Sequence, residues 1–282
     1  MREIHYNVFG HLIAIVGTSG NWSAFMLGSD GKRRLAEFII PNFPVKKSCA
    51  NISPINSTNR PHLQTTGCFR SMITKKIKPL TQPVFHQALN VLKDRDIDLS
   101  DILSTLGPPP MWKRDPGFPT LVQIILEQQV SLSSARAAFH KLLQNVSILT
   151  PEEFLKLNGK TLRQIGFSRQ KAYYCSQLSD SIVSGSLNLD RLKTMDDEQA
   201  RFELIKIKGI GRWTADIYLL MALRRPDVWP IGDLALAAAV QQVKGLGARP
   251  SLIELETLSI AWKPWRAVAA RIFWHHYLNT QK

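Results

Sequence analysis

From Pro83 onward, apolar residues recur at the spacing of amphipathic helices, and this periodicity constrains the fold more than any other feature of the chain. Glycine, proline and helix-capping residues divide the region into separate segments. The segments with helical spacing are 84–92, 99–106, 120–143, 151–157, 170–184, 196–205, 212–223, 234–243 and 265–278. We therefore predict a mainly α fold, with one helical domain over residues 79–282.

The first 78 residues have a different character. Short apolar and β-branched runs, broken by turn sequences, predict a small β meander over residues 1–41. Its motifs NVFG and GSDGKRR resemble a small uncharacterised bacterial β family, which implies no activity. Residues 42–78 are rich in Pro, Asn, Ser, Thr and Lys, which is typical of a disordered linker. Met72 lies near its end and is an alternative start of the chain.

The net charge of +14 arises from 36 Lys and Arg residues against 22 Asp and Glu residues. Both parts of the chain are basic, with +5 over residues 1–71 and +9 over residues 72–282. This balance favours a polyanionic partner, chiefly nucleic acid, although a basic solvated surface is the alternative. The chain has no apolar leader and no apolar run near the ~18 residues of a membrane span. We therefore expect a cytoplasmic protein with no membrane partner.

The segment 203–233 contains the strongest chemical signal. Gly209 and Gly211 form a turn between two helical segments, and glycines there would let a phosphate approach backbone N–H groups at a helix N-terminus. An ordinary tight αα-hairpin, in which glycine only permits positive φ, is the alternative. Asp233 follows the second helix, and a carboxylate there suits a reaction that develops positive charge.

Four motifs carry a specific family resemblance: GPPPMWKRDPGFPTLVQIILEQQVSLSSARAAF, LIKIKGIGRWTADIYLL, PIGDLAL and WKPWRAVAARIFW. In this order, over roughly residues 80–280, they resemble the helix-hairpin-helix/Gly-Pro-Asp superfamily of DNA glycosylases, and are most similar to the 3-methyladenine DNA glycosylase II group. The resemblance implies a helix-hairpin-helix fold of two helical subdomains with a cleft between them. It also implies base excision from double-stranded DNA, with the protein acting as a monomer.

The resemblance assigns the reaction to Asp233, which would stabilise the oxocarbenium-like sugar and direct water to C1′. The alternative is that Asp233 only caps the following helix, and both roles are compatible. Trp213 stands where bifunctional relatives carry a catalytic lysine, so the resemblance implies base release without strand cleavage. The remaining base-pocket positions that it implies are Trp274, Trp112 and Ile217, and Ile217 replaces the family's tyrosine. Core packing is the alternative for the tryptophans.

Further positions match the family's DNA contacts. Gln129 matches the side chain that fills the gap left by the flipped nucleotide, where the alternative is an ordinary polar helix residue. The amides of Gly209, Gly211 and Thr214 match phosphate donors. The carbonyls of Ile205, Ile207 and Gly209 match the ligands of a structural Na⁺ or K⁺. No catalytic cofactor is implied, and no iron–sulfur cluster, because no cysteine follows Cys175.

The resemblance thus implies a monofunctional glycosylase for alkylated purines such as 3-methyladenine and 7-methylguanine. Two alternatives stay open. One is a glycosylase for other damaged bases, such as deaminated purines, because Ile217 and Gln129 depart from the group's pattern. The other is a catalytically silent DNA-binding protein that keeps the hairpin.

Overall fold

The computed structural model describes the backbone of residues 2–8, 11–18, 21–27 and 33–35, and describes residues 78–280 with their side chains. The chain divides into two units, Met1–Phe69 and Arg70–Lys282. The first unit contains strands β1 (Arg2–Val8), β2 (His11–Thr18), β3 (Asn21–Leu27) and β4 (Arg33–Leu35). They pair antiparallel in chain order, and Ile4 lies opposite Ile15 on the neighbouring strand. Residues 36–41 of the predicted β meander and residues 42–77 of the predicted linker lie outside the described residues.

The second unit is helical throughout its described part. Its helices are α1 (Gln82–Arg95), α2 (Ile97–Leu106), α3 (Phe118–Glu127), α4 (Leu132–Gln144), α5 (Pro151–Leu155), α6 (Gly159–Ile165), α7 (Arg169–Val183), α8 (Leu189–Leu192), α9 (Asp197–Ile205), α10 (Arg212–Met221), α11 (Leu234–Val243), α12 (Leu252–Ser259) and α13 (Arg266–Thr280). A single 3₁₀ turn, Ile260–Trp262, separates the last two. In this region, no helix is long and apolar enough to cross a membrane.

The predicted single helix over residues 120–143 is wrong, because the chain leaves the helix after Glu127 and begins a new one at Leu132. Gln129 has a left-handed backbone (φ +54°), which an α-helix does not accommodate. The side chain of Ser131 then caps the new helix by accepting a hydrogen bond from the amide of Ser134. Gln129 therefore lies in an exposed turn, so that the interpretation as a polar helix residue is also wrong.

The helix boundaries near the glycine hairpin agree with the sequence prediction. Helix α9 follows the predicted segment 196–205 and begins with a capping box, in which Asp196 and Gln199 each accept a hydrogen bond from the other's backbone amide. Helix α11 has the predicted bounds, Leu234–Val243. The sequence prediction missed α6, α8 and α12, which have only 7, 4 and 8 residues and therefore carry little periodicity.

The helices pack in two groups. In the first group, α13 packs on α1, α2 and α11, and α1 also packs on α2. In the second, α3 contacts α4, α7 and α10, while α9 packs on α10. A fully buried arginine joins the groups: Arg271 of α13 donates to the carbonyl of Leu220 in α10 and to that of Met111 in the loop before α3. Burial lowers the pKa of the Arg271 guanidinium, and the carbonyls satisfy its N–H groups in place of a carboxylate.

Candidate active site

A cleft of about 1200 Å³ opens where the turn between α3 and α4, helix α7, the glycine hairpin and the start of α11 meet. The first three belong to one helix group and α11 to the other, so the cleft lies between the groups. Eight of the residues singled out from the sequence line it: Gln129, Ile205, Ile207, Gly209, Gly211, Trp213, Thr214 and Asp233.

Asp233 is half-buried in the cleft wall, and three donors fix its carboxylate. Its Oδ1 accepts from the backbone amide of Leu236 (2.7 Å) and from the indole Nε1 of Trp274 (3.2 Å). Its Oδ2 accepts from the indole Nε1 of Trp213 (2.9 Å). Asp233 is therefore the N-cap of α11, as the alternative interpretation required. Because all three donors are uncharged, they orient the carboxylate without neutralising its negative charge.

A second carboxylate in the cleft wall is neutralised by an arginine. Glu127 receives two parallel hydrogen bonds from Arg114, with Nη1–Oε2 at 3.0 Å and Nη2–Oε1 at 2.9 Å. Such a bidentate pair fixes both oxygens and compensates their charge. This leaves Asp233 as the better candidate for stabilising a developing cation.

The two glycines of the hairpin differ in what the protein requires of them. Gly209 has φ +93°, and a Cβ there would lie 2.1 Å from Cγ of Tyr174, so the fold itself needs a glycine. Gly211 has an extended backbone (φ −88°), and a Cβ there would meet no atom within 4 Å. The alternative in which glycine only permits positive φ therefore accounts for Gly209 but not for Gly211.

Gly211 is the N-cap of α10, and no side chain caps this helix end in the described part of the chain. The first amides of an α-helix have no intrahelical acceptor, and they carry the positive end of the helix dipole. Gly211 is exposed, whereas Thr214 is only 2% exposed and its hydroxyl accepts a hydrogen bond from Gln128. The predicted donor amides of Gly211 and Thr214 therefore share the start of α10, with Gly211 nearer to solvent, while Gly209 lies in the turn before it.

Three predicted base-pocket residues do not line the cleft. Ile217 lies in α10, is 3% exposed and belongs to the hydrophobic core, so its side chain does not reach the cleft surface. Trp274 is 8% exposed, and it reaches the site through its hydrogen bond to Asp233. Trp112 has a left-handed backbone (φ +44°) and packs edge-on against His275, with ring centroids 6.5 Å apart.

The carbonyls predicted to hold a monovalent cation are partly engaged. That of Ile207 accepts from the amide of Ile210 (3.0 Å), and that of Gly209 accepts from the side-chain amide of Gln128 (2.9 Å). A carbonyl oxygen has two lone pairs, so these hydrogen bonds leave both oxygens able to contact a Na⁺ or K⁺ as well. Across residues 78–280, no group of three or more His, Cys, Asp or Glu side chains could hold a metal ion.

Sequence reasoning missed Gln128, Lys171 and Tyr174, which also line the cleft. The Tyr174 ring lies against Gly209. Lys171 donates from Nζ to the carbonyl of Leu126 (2.6 Å), the penultimate residue of α3. These contacts join residues distant in the chain, and no local sequence pattern marks them.

A helix-hairpin-helix unit beside an aspartate that is held by three hydrogen bonds is typical of one class of nucleic-acid proteins. Similarity to known protein families identifies this chain as a member of that class. A family model described as "HhH-GPD superfamily base excision DNA repair protein" matches residues 122–266, about half of the chain. The chain therefore belongs to the HhH-GPD superfamily. A separate model, a domain of unknown function (DUF7661), matches residues 3–48.

Relatives and solved structures agree with this family. The chain is 32% identical over 162 residues to the Bacillus subtilis protein YfjP, and 31% identical over 123 residues to a DNA-3-methyladenine glycosylase of the same organism. These alignments cover 55% and 44% of this chain, but only 56% and 41% of the relatives' own lengths. A Schizosaccharomyces pombe 3-methyladenine DNA glycosylase, solved in complex with abasic DNA, is similar with a TM-score of 0.63 and 25% identity; the similarity covers 67% of this chain and 95% of that one.

Proposed function

We propose that this protein is a monofunctional DNA glycosylase, which hydrolyses the N-glycosidic bond of alkylated purines such as 3-methyladenine and 7-methylguanine in double-stranded DNA. The observation that carries the proposal is the Asp233 carboxylate, held by three uncharged donors in the wall of the cleft. Breaking the glycosidic bond develops positive charge on the sugar, and a fixed, uncompensated carboxylate stabilises that charge. The names of the relatives and of the similar solved structure support the same substrate class.

The geometry of the glycine hairpin supports DNA as the molecule that contains the damaged base. Gly211 leaves open space in front of the uncapped start of α10, which suits a backbone phosphate. A Na⁺ or K⁺ on the carbonyls of Ile205, Ile207 and Gly209 would add a positive charge near that phosphate. Gln129 is exposed, lines the cleft and has a left-handed backbone, and in this proposal its side chain would fill the gap left by a flipped nucleotide.

The test is release of methylated purines from methylated duplex DNA by the wild-type protein and by Asp233→Asn. Asparagine keeps an oxygen that can cap α11 but removes the charge, so base release is expected to fall by about 100-fold or more with little change in melting temperature. Equal release by both proteins would disprove the role of Asp233. No release from a panel of alkylated and deaminated bases, despite salt-sensitive DNA binding, would instead identify a silent DNA-binding protein.

We also propose that residues 1–41 form a separate β meander, that residues 42–78 link it to the rest, and that residues 79–282 are the glycosylase domain. The match of the DUF7661 model to residues 3–48 supports a separate N-terminal module. A shorter chain that starts at Met72 is expected to keep full base release. Loss of release in that chain, with the helical unit still folded, would show that the N-terminal part contributes to the reaction.

A further inference from the structure

Gln128, the residue before Gln129, connects two parts of the site that are distant in the chain. Its Nε2 donates to the carbonyl of Gly209 and to the hydroxyl of Thr214, both at 2.9 Å, and these partners lie 81 and 86 residues away. One side-chain amide therefore bridges the turn that carries Gln129, the glycine hairpin and the first turn of α10.

This bridge fixes one peptide plane of the hairpin. The peptide between Gly209 and Ile210 has its carbonyl oxygen bound by Gln128, while its N–H donates to the carbonyl of Ile207 (3.0 Å). A peptide group held at both ends cannot rotate without breaking a hydrogen bond. The direction of the neighbouring hairpin amides is thereby fixed relative to the turn after α3.

The same turn is also held from its other side. The carbonyl of Leu126 accepts from Nζ of Lys171 in α7, and Ser131 caps the helix that follows the turn. Between these anchors, Gln129 adopts the left-handed backbone that a non-glycine residue takes only where its surroundings enforce it. The exposed Gln129 thus lies in a turn whose flanking residues are hydrogen-bonded to other parts of the fold.

We infer that Gln128 is a positioning residue that couples the phosphate-binding hairpin to the Gln129 turn, so that a phosphate seated on the hairpin places Gln129 in register with the flipped nucleotide. The inference rests on the proposed function. It does not require Gln128 to touch DNA, because the side chain acts through Gly209 and Gln129.

The experiment measures nucleotide flipping separately from chemistry. A duplex carries 3-deaza-3-methyladenine, a non-hydrolysed analogue, with 2-aminopurine beside it, so that the fluorescence rise on binding reports unstacking. Gln128→Met has nearly the same length as the wild type but cannot donate, and Gln128→Glu places a carboxylate against the Gly209 carbonyl. Both variants are expected to lose most of the fluorescence rise and to slow single-turnover base release at saturating methylated DNA at least tenfold.

Two comparisons separate coupling from a general loss of structure. Gln170→Glu adds the same charge to the cleft wall, where the Gln170 side chain donates to the hydroxyl of Tyr174, and is expected to weaken DNA binding without reducing flipping at saturation. The double variant Gln128→Met/Gln129→Ala is expected to be no slower than Gln129→Ala alone, because both changes remove the same function.

Normal flipping by Gln128→Met, or additive losses in the double variant, would overturn the inference. Failure of the proposed function has a different signature, in which the wild type itself releases no base. The fluorescence measurement tests the coupling even then, because it needs binding and flipping but no hydrolysis. Melting temperatures of all variants identify any that fail to fold.

Discussion

The indole Nε1 of Trp213 donates a 2.9 Å hydrogen bond to Oδ2 of Asp233, across the short distance between the start of α10 and the start of α11. Oδ1 of the same carboxylate has two other donors, the amide of Leu236 and the indole of Trp274. In our proposal, Trp213 therefore does more than replace the lysine of bifunctional relatives. Its hydrogen bond also holds Oδ2 of Asp233 in one orientation.

Replacing Trp213 with phenylalanine tests this role. The variant keeps an aromatic ring but removes the donor to Oδ2, and a hydrogen bond to a charged group contributes about 1.5–3 kcal/mol. We expect single-turnover base release to fall roughly 10- to 100-fold, since about 1.4 kcal/mol corresponds to a factor of ten. Trp274→Phe is the matched control and should lose less, because its bond is longer (3.2 Å) and Oδ1 keeps the Leu236 amide. A larger loss in Trp274→Phe than in Trp213→Phe would contradict this account.

Local sequence patterns predicted the elements that carry the site better than the contacts that complete it. The bounds of α11 and the start of α9 after Asp196 follow from apolar spacing and from cap residues alone. The break between α3 and α4 does not, because apolar spacing continues through it, while the turn at Gln129 is flanked by the tertiary hydrogen bonds of Gln128 and of the Leu126 carbonyl. The resemblance indicated Asp233, Trp213 and Trp274, but not that both indoles donate to the Asp233 carboxylate from 20 and 41 residues away.

The wild-type product is expected to be an abasic site in an intact strand. Strand cleavage by a glycosylase needs an amine that forms a Schiff base with the sugar, and Trp213 offers none. Among the lysines that line the cleft, Lys171 is the strongest rival nucleophile, because burial lowers the pKa of its ammonium. Its Nζ, however, donates to the carbonyl of Leu126. Gel analysis should therefore show cleavage only after alkali, and borohydride should trap no covalent complex.

Trp213→Lys provides the positive control for that measurement, since it places a primary amine beside Asp233. A borohydride-stable complex with the wild-type protein would refute the monofunctional assignment. In that event, loss of the complex in Lys171→Arg would identify Lys171 as the nucleophile, because arginine keeps the charge but does not form a Schiff base.

The two hairpin glycines should respond differently to alanine. Gly209→Ala forces a Cβ into the Tyr174 ring and a positive φ on a non-glycine residue, so we expect a loss of stability of about 1–3 kcal/mol, measured by thermal or urea unfolding. Gly211→Ala meets no protein atom and should leave stability within about 0.5 kcal/mol. Its methyl group would instead occupy the space in front of the helix start, so DNA affinity should fall about tenfold.

Fluorescence anisotropy with undamaged duplex DNA measures this affinity without any need for catalysis. If Gly211→Ala bound DNA like the wild type, the open space at Gly211 would not be a phosphate site. If Gly209→Ala were as stable as the wild type, Tyr174 would have moved away from the hairpin, and the close packing found here would not be required for folding.

The stability of the helical unit is expected to decrease in acid through Asp96, which joins α2 to the end of α11. Burial alone would raise the pKa of this carboxyl, but hydrogen bonds from Lys244 (2.8 Å to each oxygen) and from Nε1 of Trp262 (2.7 Å) outweigh it and hold the pKa below its usual value. A carboxyl whose pKa is lower in the folded state stabilises that state above its unfolded pKa of about 3.9. This stabilisation is lost as the pH falls through about 4 towards the folded value.

Asp96→Asn separates this effect from helix capping, because asparagine can still accept from the amides of Asp98 and Leu99 at the start of α2. At pH 7 the variant should lose about 2 kcal/mol of unfolding free energy, and the difference from the wild type should shrink towards pH 3. Asp98→Asn is the control: it removes a second carboxylate bound to Lys244, but one that is 36% exposed against 11% for Asp96, so its effect should be smaller. Urea unfolding at several pH values measures each difference, and a loss for Asp96→Asn that stayed constant from pH 7 to pH 3 would show that the ionised carboxylate is not its source.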